Sequence, residues 1–176
     1  MCMKEATQQD LFLTMGHQLQ AQNYYSAAYH NHNKDFYDRD KTHTHLGYDR
    51  FLARYGGLEG ITGVFPESDL EMIDVTVPQY IDHQPFSVYY MTVSGHCMYS
   101  QKENAMARKN YDVVAGMDHC EAVKCYYASQ QELEYAMESL VRQLEEAGIA
   151  DDTVIVLTAD HYPYALGKSA TWDNRE

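Results

Sequence analysis

Positive charge is scarce in this sequence. Thirteen Lys and Arg stand against 26 Asp and Glu, giving a formal net charge of −13. Binding a phosphate backbone needs a basic footprint, so nucleic acid is excluded as the expected partner. Direct adhesion to an anionic membrane surface is excluded on the same ground. A small anionic substrate still fits if a metal and a few Arg or His supply local positive potential. Long apolar runs are also missing. No stretch reaches the ~18 apolar residues of a transmembrane helix. The opening Met1-Cys2-Met3-Lys4-Glu5 is not followed by the apolar core of a signal peptide. Cysteine is sparse, and Cys2, Cys97, Cys120 and Cys125 include no C-x-x-C pair. That spacing excludes a zinc ribbon and leaves free thiols as the default. There is one Trp and there are five Phe, but 16 Tyr. Tyr buries a large apolar body and keeps a hydroxyl for polar neighbours, which suits a polar cleft and a core edge equally. With 45% hydrophobic residues a core is easily built, and at 176 residues one domain is the default.

The most informative stretch is Thr153-Val154-Ile155-Val156-Leu157-Thr158-Ala159-Asp160-His161. A short apolar, β-branched run of this kind predicts a strand buried on both faces, as in a parallel sheet. In open α/β sheets, ligands bind beyond the carboxyl ends of such strands. Asp and His are good oxygen and nitrogen ligands for a divalent metal. The plainer reading is a turn-capping Asp160 beside a surface His161.

Two further runs end in the same way. Tyr24 to Tyr29 predicts a strand ending at His30, and Phe86 to Val93 predicts one ending at Ser94-Gly95-His96. In a parallel sheet the three imidazoles would share one edge. Between the strands, Leu11, Phe12, Met15 and Leu19 predict an amphipathic helix over 9–22. The polar stretch His30 to Asp40 has the make-up of a functional loop, and residues 41–50 hold a short helix. Further helices are expected from near Asp69, over 105–114 and over 129–147. In the last of these, Leu133, Met137, Leu140, Val141 and Leu144 form one stripe. Ser129 and Glu132 make a capping box, and Gly148 closes the helix. The stripe is expected to pack on the strand carrying Val154 and Val156. Strands and helices in this order predict an α/β fold: a mostly parallel sheet flanked by helices.

The segments Tyr-His-Asn-His-Asn-Lys-Asp-Phe-Tyr-Asp-Arg-Asp (29–40), Leu46-Gly47-Tyr48-Asp49, Tyr-Met-Thr-Val-Ser-Gly-His (90–96) and Ile-Val-Leu-Thr-Ala-Asp-His-Tyr (155–162) carry a family resemblance. Together they resemble the lipoteichoic acid synthase branch of the sulfatase and alkaline phosphatase superfamily, over about residues 10 to 167. The resemblance implies a sulfatase-like fold. It makes Asp160 and His161 metal ligands, for Mn²⁺ first and for Mg²⁺, Ca²⁺ or Zn²⁺ as alternatives. His96 would hold the phosphate or glycerol of the substrate, and His30 and Arg39 would bind the same anionic group. Tyr37 stands where the family often has Trp, beside the glycerol. An Arg fork suits phosphate, and imidazoles donate hydrogen bonds or move protons near neutral pH.

The resemblance further implies a Thr nucleophile and a Glu metal ligand from segments preceding the first motif, and this chain has no matching strand and Thr-bearing helix start. Residues 1–176 are therefore expected to be a C-terminal portion of a larger catalytic domain, truncated at its N-terminus. The isolated chain is expected to be inactive, and to pair with the missing portion or self-associate. The implied function is metal-dependent transfer of glycerol phosphate from a lipid to a cell-envelope polymer. In the parent protein this would occur on the extracellular face of the bacterial plasma membrane. Two alternatives stand beside it: a sulfate or phosphate ester hydrolase, and a non-catalytic substrate-binding fragment.

Overall fold

The computed structural model describes residue 5, residue 9 and residues 11–166. In chain order the elements are α1 (Met15–Gln20), β1 (Tyr25–Asn33), α2 (Arg39–Thr42), β2 (Arg50–Arg54), α3 (Asp69–Thr76), β3 (Phe86–Met91), α4 (Ala105–Lys109), α5 (Tyr111–Val114) and α6 (Glu121–Glu146), with short 3₁₀ turns between several of them. The chain divides into two compact units, Met1–Thr62 with Glu71–Thr92, and Gly63–Leu70 with Val93–Glu176.

The first unit holds a three-stranded sheet in the order β2-β1-β3, parallel throughout, as the sequence pattern predicts. β1 is central. Its Ser26, Ala27, Ala28 and Tyr29 have no exposed surface, as befits the central strand of a parallel sheet. Register at the start of the β1–β2 ladder is fixed by Asp49. Its carboxylate accepts the Ser26 amide at 2.9 Å and the Ser26 hydroxyl at 3.0 Å. Below the sheet, Tyr29 stacks on Tyr90 at 5.4 Å, and the Tyr90 hydroxyl meets Thr76 Oγ1 at 2.7 Å and donates to Tyr80 at 3.2 Å. The Tyr excess is in part a core feature.

β1 runs past the expected end at Tyr29 and takes His30 inside the strand. β2, with the sequence Arg-Phe-Leu-Ala-Arg, is absent from the sequence reading because a five-residue edge strand closed by Arg at both ends carries little apolar pattern. The helix expected over 9–22 shrinks to Met15–Gln20, and Phe12, Leu13 and Met15 are exposed. Thr14 caps this helix, so the apolar residues before it fall outside the helical repeat.

The second unit is built on α6. Val123, Cys125 and Ala128 pack with Tyr99, Ala107, Val114 and Leu166. The helix begins at Glu121, eight residues before the expected start. The capping-box groups are used otherwise: Ser129 Oγ donates to the Tyr126 carbonyl at 2.8 Å, and Glu132 is buried in a polar cluster. Leu140 and Leu144 are buried as expected, but Val141 is exposed, and several of the other buried positions are small residues, Ala128, Ser129, Ala136 and Ser139. Small side chains allow a close approach that a count of large apolar residues does not register. Gly148 ends the helix as predicted. At φ +71 it lets its own amide reach Glu145 O at 2.9 Å and lets the Ile149 amide reach Leu144 O at 3.0 Å, a Schellman closure.

Residues 153–159 are not a strand. The segment takes part in no ladder, and Val154, Val156 and Leu157 are 86%, 82% and 66% exposed. The expected packing of α6 on Val154 and Val156 is therefore not formed. An apolar, β-branched run becomes a strand only when a neighbour accepts its backbone hydrogen bonds, and the pattern of side chains carries no information about that neighbour.

Candidate functional site

In the first unit the structure brings together three of the expected site residues, His30, Tyr37 and Arg39. His30 lies on the central strand, opposite Met91 of β3 in register, and is 2% exposed. Its Nδ1 is 2.9 Å from the Met91 carbonyl, which only accepts, so Nδ1 carries the proton. Nε2 then offers a lone pair, and Arg39 Nη1 donates to it at 3.2 Å. Burial pushes the His30 pKa down to about 4, and the Arg39 charge adds to the effect, while the Met91 hydrogen bond opposes it. The ring is neutral at physiological pH, as an acceptor for a guanidinium requires.

Arg39 begins α2 and is held from several sides. Its guanidinium carbon lies 5.2 Å from the Phe36 ring centroid and 5.3 Å from that of Tyr37. Its backbone carbonyl accepts from His43 Nδ1 at 3.0 Å. His43 is buried, stacks on Phe51 at 4.6 Å, and has its pKa lowered, first by burial and then by the Arg39 charge. Tyr37 and Asp38 both adopt left-handed backbone, at φ 58 and φ 55. Asp tolerates that region, whereas Tyr is strained there by about 1 kcal/mol. Tyr37 is 62% exposed in this turn, with its ring beside the guanidinium. The guanidinium is thus laid against two aromatic rings and fixed at Nη1, and its planar fork is of the type that suits an oxyanion.

The other three expected residues lie in the second unit. His96 follows β3 in a tight turn and its side chain is exposed. Its ring packs edge-on to Phe65 at 5.3 Å, and its Nδ1 hydrogen-bonds the Cys97 carbonyl. Nε2 has no partner among the described residues and is the nitrogen available to a ligand. Asp160 and His161 are adjacent and exposed, with His161 Nε2 3.6 Å from Asp160 Oδ1. A carboxylate oxygen and an imidazole nitrogen converging at that distance fit a divalent metal in donor type. Among the described residues, no group of three or more His, Cys, Asp or Glu converges on a common point, so the pair fits as part of a coordination shell.

Several supporting residues were not singled out from the sequence. His43 carries no signal beyond its type. From the sequence Asp69 marks only a helix start, whereas Asn104, directly before a helix, carries the signal of an N-cap. Among the described residues, no helix is long and apolar enough to cross a membrane.

Comparison with known proteins places the chain in a family. The sequence model of the sulfatase family matches residues 5–175. Lipoteichoic acid synthase 1 of Bacillus subtilis is 27% identical over 145 residues, which are 81% of this chain and 22% of that protein. Lipoteichoic acid synthase of Staphylococcus saprophyticus is 25% identical over 154 residues, again 81% of this chain and 22% of the relative. The chain thus spans about a fifth of the length of these curated relatives. The crystal structure of lipoteichoic acid synthase LtaP from Listeria monocytogenes superposes with a TM-score of 0.62 at 22% identity, covering 91% of this chain and 41% of that one, which establishes the shared fold. The chain belongs to the sulfatase family, and within it is similar to the lipoteichoic acid synthases.

Proposed function

We propose that this chain supplies the substrate-anion side of a sulfatase-family transferase, one that moves a glycerol-phosphate head group from a lipid to a cell-envelope polymer on the extracellular face of a bacterial plasma membrane. The observation that carries the reading is the Arg39 guanidinium, fixed by His30 and laid against Phe36 and Tyr37.

In this reading Arg39 pairs with the non-bridging oxygens of the phosphodiester, for which its fork is suited. His30 takes no direct part in binding the anion, because both its nitrogens are engaged. It keeps Nη1 in place and so fixes the plane of the fork. Tyr37 packs its exposed face on the glycerol carbons. His96 offers Nε2 to a phosphate oxygen or moves a proton there. Asp160 and His161 would hold a divalent ion, Mn²⁺ by preference, which when bound offsets negative charge on a phosphoryl oxygen. The relatives named as lipoteichoic acid synthases support this substrate class over a sulfate ester.

The test is titration of the full chain with sn-glycerol 1-phosphate, followed by NMR. Arg39→Ala should weaken binding by roughly 10- to 100-fold, the worth of one charge-assisted pair. Arg39→Lys should recover only part of the loss, because an ammonium keeps the charge but not the fork. Unchanged affinity in Arg39→Ala would contradict the assignment. Tighter binding of an aryl sulfate than of glycerol phosphate would favour ester hydrolysis instead.

A further inference from the structure

The second unit contains a buried polar frame that ends on the His96 turn. We propose that Asp69 and Asn104 are positioning residues that hold the His96 turn, and with it the exposed imidazole, in one fixed arrangement, an inference that rests on the proposed role of His96.

Asp69 is 1% exposed. Its Oδ1 accepts the Val93 amide at 2.9 Å and the Ser94 amide at 3.2 Å, and its Oδ2 accepts the Ser94 hydroxyl. One carboxylate thus gathers three donors from two consecutive residues of the turn. Asn104 has no exposed surface. Its Nδ2 donates to the Ser94 carbonyl at 3.3 Å and to the His96 carbonyl at 2.7 Å, while its Oδ1 caps α4 by accepting the Ala107 amide at 2.7 Å. The His96 amide closes the turn on the Val93 carbonyl at 2.9 Å. The backbone of His96 is therefore tied at both its amide and its carbonyl, while the ring stays exposed.

The frame is anchored further back. Ser68, next to Asp69, donates to the buried Glu132 of α6, which also accepts from Lys109 Nζ at 2.9 Å and Asn110 Nδ2 at 3.0 Å. Burial alone would raise the Glu132 pKa, but hydrogen bonds from Ser68, Asn110 and Lys109 outweigh it and leave the group below the usual value. Phe65, whose ring meets the His96 edge, accepts the Ala105 amide at 3.2 Å through its carbonyl. A turn whose only task was to leave β3 would not need two fully buried polar side chains converging on it. Holding one exposed imidazole to a fixed direction would.

A double-mutant cycle on the full chain tests this, with sn-glycerol 1-phosphate as the probe and amide hydrogen exchange of Val93 and Ser94 as the local readout. Asp69→Asn keeps the shape but replaces an acceptor with an amide group. It should speed exchange at both amides and weaken binding by about 10-fold, and His96→Ala should weaken it by a similar factor. The double variant should be no weaker than His96→Ala alone, because the two residues act as one unit. Ser94→Ala, which removes only the hydroxyl, should show the same coupling at smaller size and serves where Asp69→Asn does not fold. Multiplication of the two factors to about 100-fold, the additive expectation, would overturn the positioning role. So would faster exchange with unaltered affinity. A wild-type chain that does not bind the probe would overturn the substrate reading and this inference with it, whereas loss of binding in His96→Ala but not in Asp69→Asn overturns this inference alone.

Discussion

Arg39 and Asp160 are both charged, and both are assigned to the same chemistry, yet their surroundings differ in kind. Arg39 is gripped by a buried neutral imidazole, two aromatic rings and a second histidine on its carbonyl. Asp160 has a side chain that is 88% exposed and lies 3.6 Å from its neighbour His161. The loop after β1 is built in advance and spends strain at Tyr37 to do so. The segment at 153–161 is largely exposed and takes part in no ladder among the described residues. The Arg39 guanidinium is thus held in place within the first unit, as the proposed anion-binding role requires. In the proposed reading Asp160 and His161 would supply two donors without fixing a coordination geometry, and a pair of ligands binds a hard cation no better than roughly millimolar.

That contrast can be broken by experiment. The largest effect is expected at His30. His30→Ala should cost about 3 kcal/mol in chemical denaturation, because it opens a cavity and leaves the Met91 carbonyl without its donor. His161→Ala should cost less than about 0.5 kcal/mol, the usual limit at exposed positions. Equal losses would erase the distinction between the two regions.

Acid should act on the same side of the comparison. The His30 pKa falls from 6.5 in the unfolded chain to about 4 in the fold. The unfolded state then binds the proton more readily, so the neutral ring's contribution is complete above pH 6.5 and is lost progressively as pH falls toward 4. Integrated over that window it amounts to at most about 3 kcal/mol. His43, also lowered, adds in the same direction. Denaturation midpoints measured from pH 7.5 to 4 should show the drop, and His30→Gln should flatten it.

Smaller effects sharpen the contrast. Tyr37→Asn should raise stability by about 0.5–1 kcal/mol, since Asn adopts the left-handed region at lower cost. It should also weaken glycerol-phosphate binding, because the aromatic face is lost. Gain without loss would mean the strain serves no ligand. Smallest of all, Val156→Thr should shift stability by less than about 0.5 kcal/mol, although the sequence pattern reads Val156 as a core residue.

How legible the molecule was depends on what each residue's role required. The parallel sheet and the Gly148 closure could be read because each is written locally, in a run or a spacing. β2 could not, because an Arg-bounded edge strand of five residues carries almost no apolar pattern. The 153–159 run misled for the opposite reason: its pattern is strong, but pairing depends on a neighbour the run does not specify. His30 was read as a direct anion ligand. That both its nitrogens are engaged, one of them on Arg39, follows from the β1–β3 register and the turn at Tyr37, neither of which a motif encodes. Asp69 and Asn104 act through backbone groups of the His96 turn, and side-chain identity alone says nothing of them.

The central claim is that a neutral His30 holds Arg39 through Nε2. Nitrogen-15 NMR of the imidazole tests it most directly. The account predicts the Nδ1-protonated tautomer with an unprotonated, hydrogen-bonded Nε2, persisting as pH is lowered until about 4. A ring protonated at Nε2 at neutral pH, or one that titrates near its ordinary value of 6.5, would contradict it.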